Sequence, residues 1–150
     1  MNELPPCELR AWRAFLQSHA RVVRRLDAEL QAERGLTLSA YEVLLRLRSA
    51  PDRRLRMSDL AEDVLLSPSG ATRVVDQLVR RGLVERCRGS VDGRSHLAIL
   101  TKEGLQELRA AAPIHIRGIQ EHFTGKLSER ELDQLATALE PVGTGNPAEA

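Results

Sequence analysis

The chain has 150 residues, a net charge of +1, 3% aromatic residues and two cysteines. That length allows one modest domain whose core must come from Leu, Val, Ile and Ala, and two cysteines make no disulfide framework. No run nears the roughly 18 apolar residues that span a bilayer, and MNELPPCELRAW lacks the apolar centre of a signal peptide, so the expected location is the cytoplasm.

The small net charge hides an asymmetry. Between Arg53 and Arg94 there are nine arginines against six acids, whereas from Lys102 to Ala150 there are five bases against eight acids. A basic middle and an acidic tail suggest that only the middle faces phosphate. Twenty of the 22 basic residues are arginine, whose planar fork suits bidentate contacts; a codon bias would give the same excess.

In chain order, a long helix is expected from about Pro6 to Glu33, stopped by Gly35 as a C-cap. Leu9, Trp12, Leu16, His19, Val23, Leu26 and Leu30 form a seam with a 3.5-residue period, backed by Phe15 and Val22. Leu36–Leu38 reads as a connector. Ser39 is the expected N-cap of a second helix carrying Tyr41, Val43, Leu44, Leu45 and Leu47, ended by Pro51 and Asp52. Leu55–Met57 reads as a very short strand. Ser58 is expected to cap a helix over about Asp59–Val64.

Ser67-Pro68 is a strong helix start, a hydroxyl N-cap followed by proline at the first helical position. This helix should run from Pro68 to about Arg81, with Ala71, Val74, Val75, Leu78 and Val79 apolar, and Gly82 as its stop. Val84–Arg88 and Ser95–Leu100 are strands joined through Asp92-Gly93. A long helix starts at Lys102, and Pro113 should kink or split it. Ser128 with Glu131 is a capping box for a last helix bearing Leu132, Leu135 and Leu139, with the residues after Glu140 frayed.

A short helix, a turn, a capped helix, a Gly stop and an Arg-bearing hairpin follow one another from Met57 to Thr101. That is the order of a winged helix-turn-helix. The capped helix is about 21 Å long at ~1.5 Å per residue, which suits a major groove. Its N-terminal residues Ser67, Ser69, Gly70, Ala71 and Thr72 are small and let backbone approach DNA. Arg73 can pair with a guanine edge, and Thr72 can meet a thymine methyl or a phosphate. Asp76 should pair with an arginine or accept from a cytosine amine. Arg80 and Arg86 complete the basic set. At the hairpin, Arg94 can enter a minor groove, while Asp92 orients Arg94 or caps the turn.

The chain resembles the MarR family of transcriptional regulators over nearly its whole length. The resemblance is carried by Leu60-Ala61, by Ser67-Pro68-Ser69-Gly70-Ala71-Thr72-Arg73, and by Leu78 with Arg81-Gly82-Leu83-Val84. Asp92, Arg94 and Leu100-Thr101-Lys102-Glu103-Gly104 complete it. It implies a mainly α fold with a small β wing, a winged helix-turn-helix flanked by N- and C-terminal dimerisation helices. In those terms residues 1–150 are a single MarR-like domain, with dimerisation helices over about 6–35 and 103–140 and the winged helix-turn-helix over about 36–101. It further implies a homodimer on a pseudo-palindromic operator in double-stranded DNA, usually a repressor, released by a small aromatic or phenolic ligand.

An independent argument for dimerisation is that the apolar stripes of the first and last helices exceed what a small three-helix unit can bury; an intramolecular bundle is the alternative. For a planar anionic effector, such as a small aromatic acid, the expected crevice residues are Trp12, His19 and Tyr41, with Arg46 as counter-charge; core packing is the competing role for Trp12. A thiol-based oxidant sensor is another reading, since one branch of the family senses oxidants through a cysteine early in the first helix. Here Cys7 lies two turns before that branch's position, which holds Ala14, and Cys87 lacks an activating partner. His19, His96, His115 and His122 show no metal-ligand spacing, and no catalytic motif is present, so neither a metal, a cofactor nor an enzyme activity is expected. A non-specific architectural DNA-binding protein is the remaining alternative.

Overall fold

The computed structural model describes residues 3–88 and 96–143. The helices are α1 (Pro6–Arg34), α2 (Leu38–Ser49), α3 (Met57–Asp63), α4 (Pro68–Arg80), α5 (Lys102–His122) and α6 (Glu129–Gly143). The strands are β1 (Arg54–Arg56), β2 (Val84–Arg88) and β3 (His96–Leu100). They form one antiparallel sheet in the order β1-β3-β2, with Leu55 opposite Ala98 and Arg86 also opposite Ala98 across the other edge. The fold is therefore mainly helical with a small sheet, as the sequence indicates. No described helix is long and apolar enough to cross a membrane.

The chain divides into a central unit, Leu26–His115, and a terminal unit built from Met1–Arg25 and Ile116–Ala150. The buried apolar residues belong to the central unit. Leu30 and Leu36, Val43, Leu44 and Leu47 of α2, Leu60 of α3, Val75 and Leu78 of α4, and Val84, Ala98 and Leu108 are all buried there. In the terminal unit, α6 buries no residue, and Trp12, Phe15, Leu16 and Val23 of α1 are exposed. Thus Trp12, with 52% of its surface accessible, is not a core residue of the single chain.

The ends of the elements follow local chemistry. Gly35, at φ +60°, stops α1, and its N–H donates to the Gln31 carbonyl at 2.9 Å. The cap of α2 is Thr37 rather than Ser39: its hydroxyl accepts from Ala40 N at 3.1 Å. Asp27 of α1 adds a second acceptor, taking the Leu38 N–H at 2.8 Å, so the chain turns into helix two residues earlier than Ser39 suggests. Ser58 is likewise not an N-cap. α3 starts at Met57, directly from β1, and Ser58 lies in its first turn beside Asp59. α5 runs as one helix through Pro113 and is not split by it. The capping box of α6 forms as expected, with Ser128 N and Oγ both donating to the Glu131 carboxylate at 2.8 and 2.7 Å. α6 reaches Gly143, beyond the expected fraying point at Glu140.

Candidate nucleic-acid interface

The second helix of the helix-turn-helix, expected to read DNA, is α4, and its start is determined by three small residues. Ser67 Oγ accepts from Gly70 N at 3.0 Å, and Pro68 occupies the first position, where no N–H is needed. A Cβ on Gly70 would already lie 3.0 Å from that Ser67 oxygen, so the cap is tight around a glycine. The turn before it bends at Leu65, a leucine in the left-handed region at φ +53° with 92% of its surface exposed. Leu66 N then donates back to the Ala61 carbonyl at 3.0 Å, closing the turn.

Helical geometry divides the residues of α4 between two faces. Ala71, Val75 and Leu78 are buried in the central core. Ser69, Thr72, Arg73 and Arg80 are exposed, and their spacing places them with Asp76 on the opposite side. Ala71 therefore leaves the set of expected DNA contacts. Its methyl is fully buried, because the residue that sits next to Thr72 in sequence lies about 100° round the helix. Arg73 has no ion-pair partner among the described residues, which leaves its guanidinium available.

Asp76 pairs with an arginine, as expected: Arg86 Nη2 lies 3.3 Å from its Oδ1. The same nitrogen donates to the Thr72 carbonyl at 3.4 Å, so the Arg86 side chain of β2 is turned onto α4. The C-terminal end of α4 is held just as firmly. Gly82, at φ +70°, donates to the Val79 carbonyl at 2.9 Å, and Leu83 N donates to Leu78 O at 2.9 Å. Arg81 donates to the carbonyls of Gly35 and Arg34 at 2.9 and 3.3 Å. Glu107 of α5 lies 3.6 Å from Arg81 and receives a two-pronged contact from Arg34, at 3.1 and 2.6 Å. This second clasp was not legible in the sequence, where Arg34, Arg81 and Glu107 look like ordinary surface charges. Asp92 and Arg94, expected at the hairpin tip, lie outside the described residues.

Comparison with known proteins places this arrangement. The MarR family model matches residues 34–95. HTH-type transcriptional regulator YkoM of Bacillus subtilis is 33% identical over 111 residues, covering 74% of this chain and 70% of the relative. The chain belongs to the MarR family. The transcriptional repressor MprA of Escherichia coli is 26% identical over 134 residues, 89% of this chain and 75% of that protein. Among solved structures, the MarR-family regulator Sco3205 of Streptomyces coelicolor, determined in complex with DNA, superposes with a TM-score of 0.91. It is 30% identical, and the match covers 100% of this chain and 95% of that one.

The residues expected around an effector in this MarR protein fall into two groups. Trp12 and His19 belong to the terminal unit. The Phe15 ring lies between them, with centroid distances of 6.2 Å to Trp12 and 6.3 Å to His19, so three exposed rings follow one another along α1. Phe15 was placed only as backing for the seam, although its spacing of three from Trp12 and four from His19 puts it in this row. Tyr41 and Arg46 belong to the central unit. Tyr41 is buried and packs on His115 of α5 at 4.4 Å, a partner the sequence did not suggest. Burial raises the Tyr41 phenol above its usual value, against a smaller opposing effect of Arg48, and lowers the His115 imidazole below its own. Arg46 is exposed on α2, where its charge partly offsets the burial that raises the Glu42 carboxyl.

Proposed function

We propose that this MarR-family protein is a homodimeric transcriptional repressor that reads a pseudo-palindromic operator through α4. The observation that carries the reading is the exposed face of α4. Ser69, Thr72, Arg73 and Arg80 project from a helix whose first turn is open, whose buried face is anchored, and whose end is clasped by Arg81. Ser67 and Gly70 shape the first turn, where the positive end of the helix dipole favours a phosphate. Arg73 supplies base discrimination, worth roughly 1–3 kcal/mol for a bidentate guanine contact. Arg94, which lies outside the described residues, is the residue proposed for a minor-groove contact. Sco3205, whose structure contains DNA, and MprA, named a repressor, support this assignment by similarity.

Dimerisation is supported by the terminal unit. A 15-residue α6 with no buried residue, and a row of exposed apolar side chains on α1, require a partner to become a packed core. Residues 6–35 and 103–140 are the proposed dimerisation helices and 36–101 the winged helix-turn-helix. Two copies of α4 would then meet half-sites about one DNA turn apart. Release by a small aromatic acid is the proposed signal, with the exposed rings of Trp12 and His19 in the terminal unit as the surface that accepts it.

Selection of bound fragments from random DNA tests the central reading. A palindrome should emerge, and Arg73→Ala should relax base preference at one position in each half-site. Fragments without dyad symmetry, or an unchanged preference in the variant, would refute it. Sedimentation should give a dimer. Quenching of Trp12, the chain's only tryptophan, by aromatic acids, together with loss of DNA binding, checks the effector.

A further inference from the structure

The Arg86–Asp76 pair carries a role that neither the fold nor the base contacts of α4 require. Asp76 shares the exposed face of α4 with Ser69, Thr72, Arg73 and Arg80, where an unpaired carboxylate would repel phosphate. Arg86 stands on β2, the strand that enters the hairpin. Its Nη2 reaches across to Asp76 Oδ1 at 3.3 Å and to the Thr72 carbonyl at 3.4 Å, one turn apart on α4. Both anchoring atoms are acceptors, and a guanidinium can serve both because its donors form a rigid fork. A side chain committed in this way has its donors engaged by α4 itself.

We propose that Arg86 is a positioning residue for operator recognition and not a phosphate contact. It neutralises Asp76, and it ties the wing strand to the backbone of Thr72, directly beside Arg73. The distance between the wing and the reading helix is then set within the protein before DNA arrives. The proposal rests on α4 being the DNA-reading element.

The test uses the full chain as wild type, R86A, D76A, the double variant and R86K. Each is titrated with the selected operator duplex and with a random duplex of the same length, over a series of KCl concentrations. R86A should bind operator about ten-fold more weakly, largely because it strands Asp76, so the double variant should bind several-fold more tightly than R86A. The double variant keeps the wild-type net charge. Its slope of log affinity against log salt should stay within about 0.3 of wild type, whereas loss of one phosphate contact per protomer, two per dimer, would lower it by about 1.8. D76A, which releases the Arg86 cation, should gain on random DNA and lose about ten-fold in the operator-to-random ratio. R86K, with one point charge in place of a fork, should keep the salt slope but lose part of that ratio. A slope lowered by about 1.8 in the double variant, with no recovery over R86A, would overturn the proposal, as would R86K behaving as wild type. A wild-type protein with no salt-dependent DNA binding would instead overturn the reading of α4 itself.

Discussion

Replacing Gly104 with alanine should destabilise the protein, although alanine is the better helix former. Gly104 is the third residue of α5, packed against the connection that follows α4. A Cβ there would stand 2.0 Å from the Leu83 carbonyl oxygen, 3.0 Å from its carbon and 2.8 Å from Leu100 Cδ1. Carbon–oxygen contacts are ordinarily about 3.3 Å or longer, so α5 or the Leu83 backbone must move by more than about 1 Å. That movement strains three hydrogen bonds: Thr101 N to Leu83 O at 3.2 Å, Thr101 Oγ1 to Gly82 O at 2.8 Å, and Gly104 N to Thr101 Oγ1 at 2.9 Å. Overpacking costs about 1–3 kcal/mol and partial weakening of the three bonds about 2 kcal/mol together, against a gain of about 1 kcal/mol from helix propensity. The net loss should be about 2–4 kcal/mol, a fall in Tm of roughly 5–15 °C for a chain of this size. Urea and thermal unfolding of G104A measure it. A variant as stable as wild type, or more stable, would show that the close approach is not a constraint.

Three further outcomes are expected. Ser67→Ala removes the cap of α4 and should cost about 1 kcal/mol in urea unfolding; a loss below about 0.3 kcal/mol would mean that the Gly70 N–H is satisfied equally well without it. Leu65→Asn should stabilise by about 0.5–1 kcal/mol, because it relieves a left-handed leucine that buries almost nothing; destabilisation would imply a packing role for the side chain. His115 has its pKa lowered by burial from an ordinary value of 6.5, so the unfolded chain takes up a proton first as pH falls. Stability should therefore decline as pH drops through 6.5 and level off below the folded-state value. The drop in Tm between about pH 7.5 and 5.5 should shrink in His115→Phe, which keeps a ring against Tyr41; an identical drop in both proteins would assign the titration elsewhere.

Much of α4 was legible because its signals are local. Ser67, Pro68 and Gly82 act through backbone atoms within a few residues, and the α4 boundaries expected from them are met to within one residue. Local signals misled where a distant residue supplied the cap. Thr37 starts α2 because Asp27, eleven residues before Leu38, presents a second acceptor. Periodicity marked Ala71 as apolar, but its place in the small-residue opening suggested DNA contact; only the rotation of α4 against the core shows that the methyl is buried.

The sequence by itself determined the element order, the glycine stops, the Ser67 and Ser128 caps and the family, since these depend on short-range backbone chemistry and on spacing. The tertiary structure decided the pairings across long sequence separations. Arg86 turned onto Thr72 and Asp76, Arg81 clasped to Gly35 and Glu107, and Tyr41 packed on His115 bring together residues that no local pattern links. The physical reason is that a charged or aromatic side chain on a helix or strand has a known direction but not a known neighbour until the core sets which elements face each other. Gly104 belongs to both accounts: its motif is visible in the chain, but the carbonyl that excludes a side chain there comes from Leu83, 21 residues earlier.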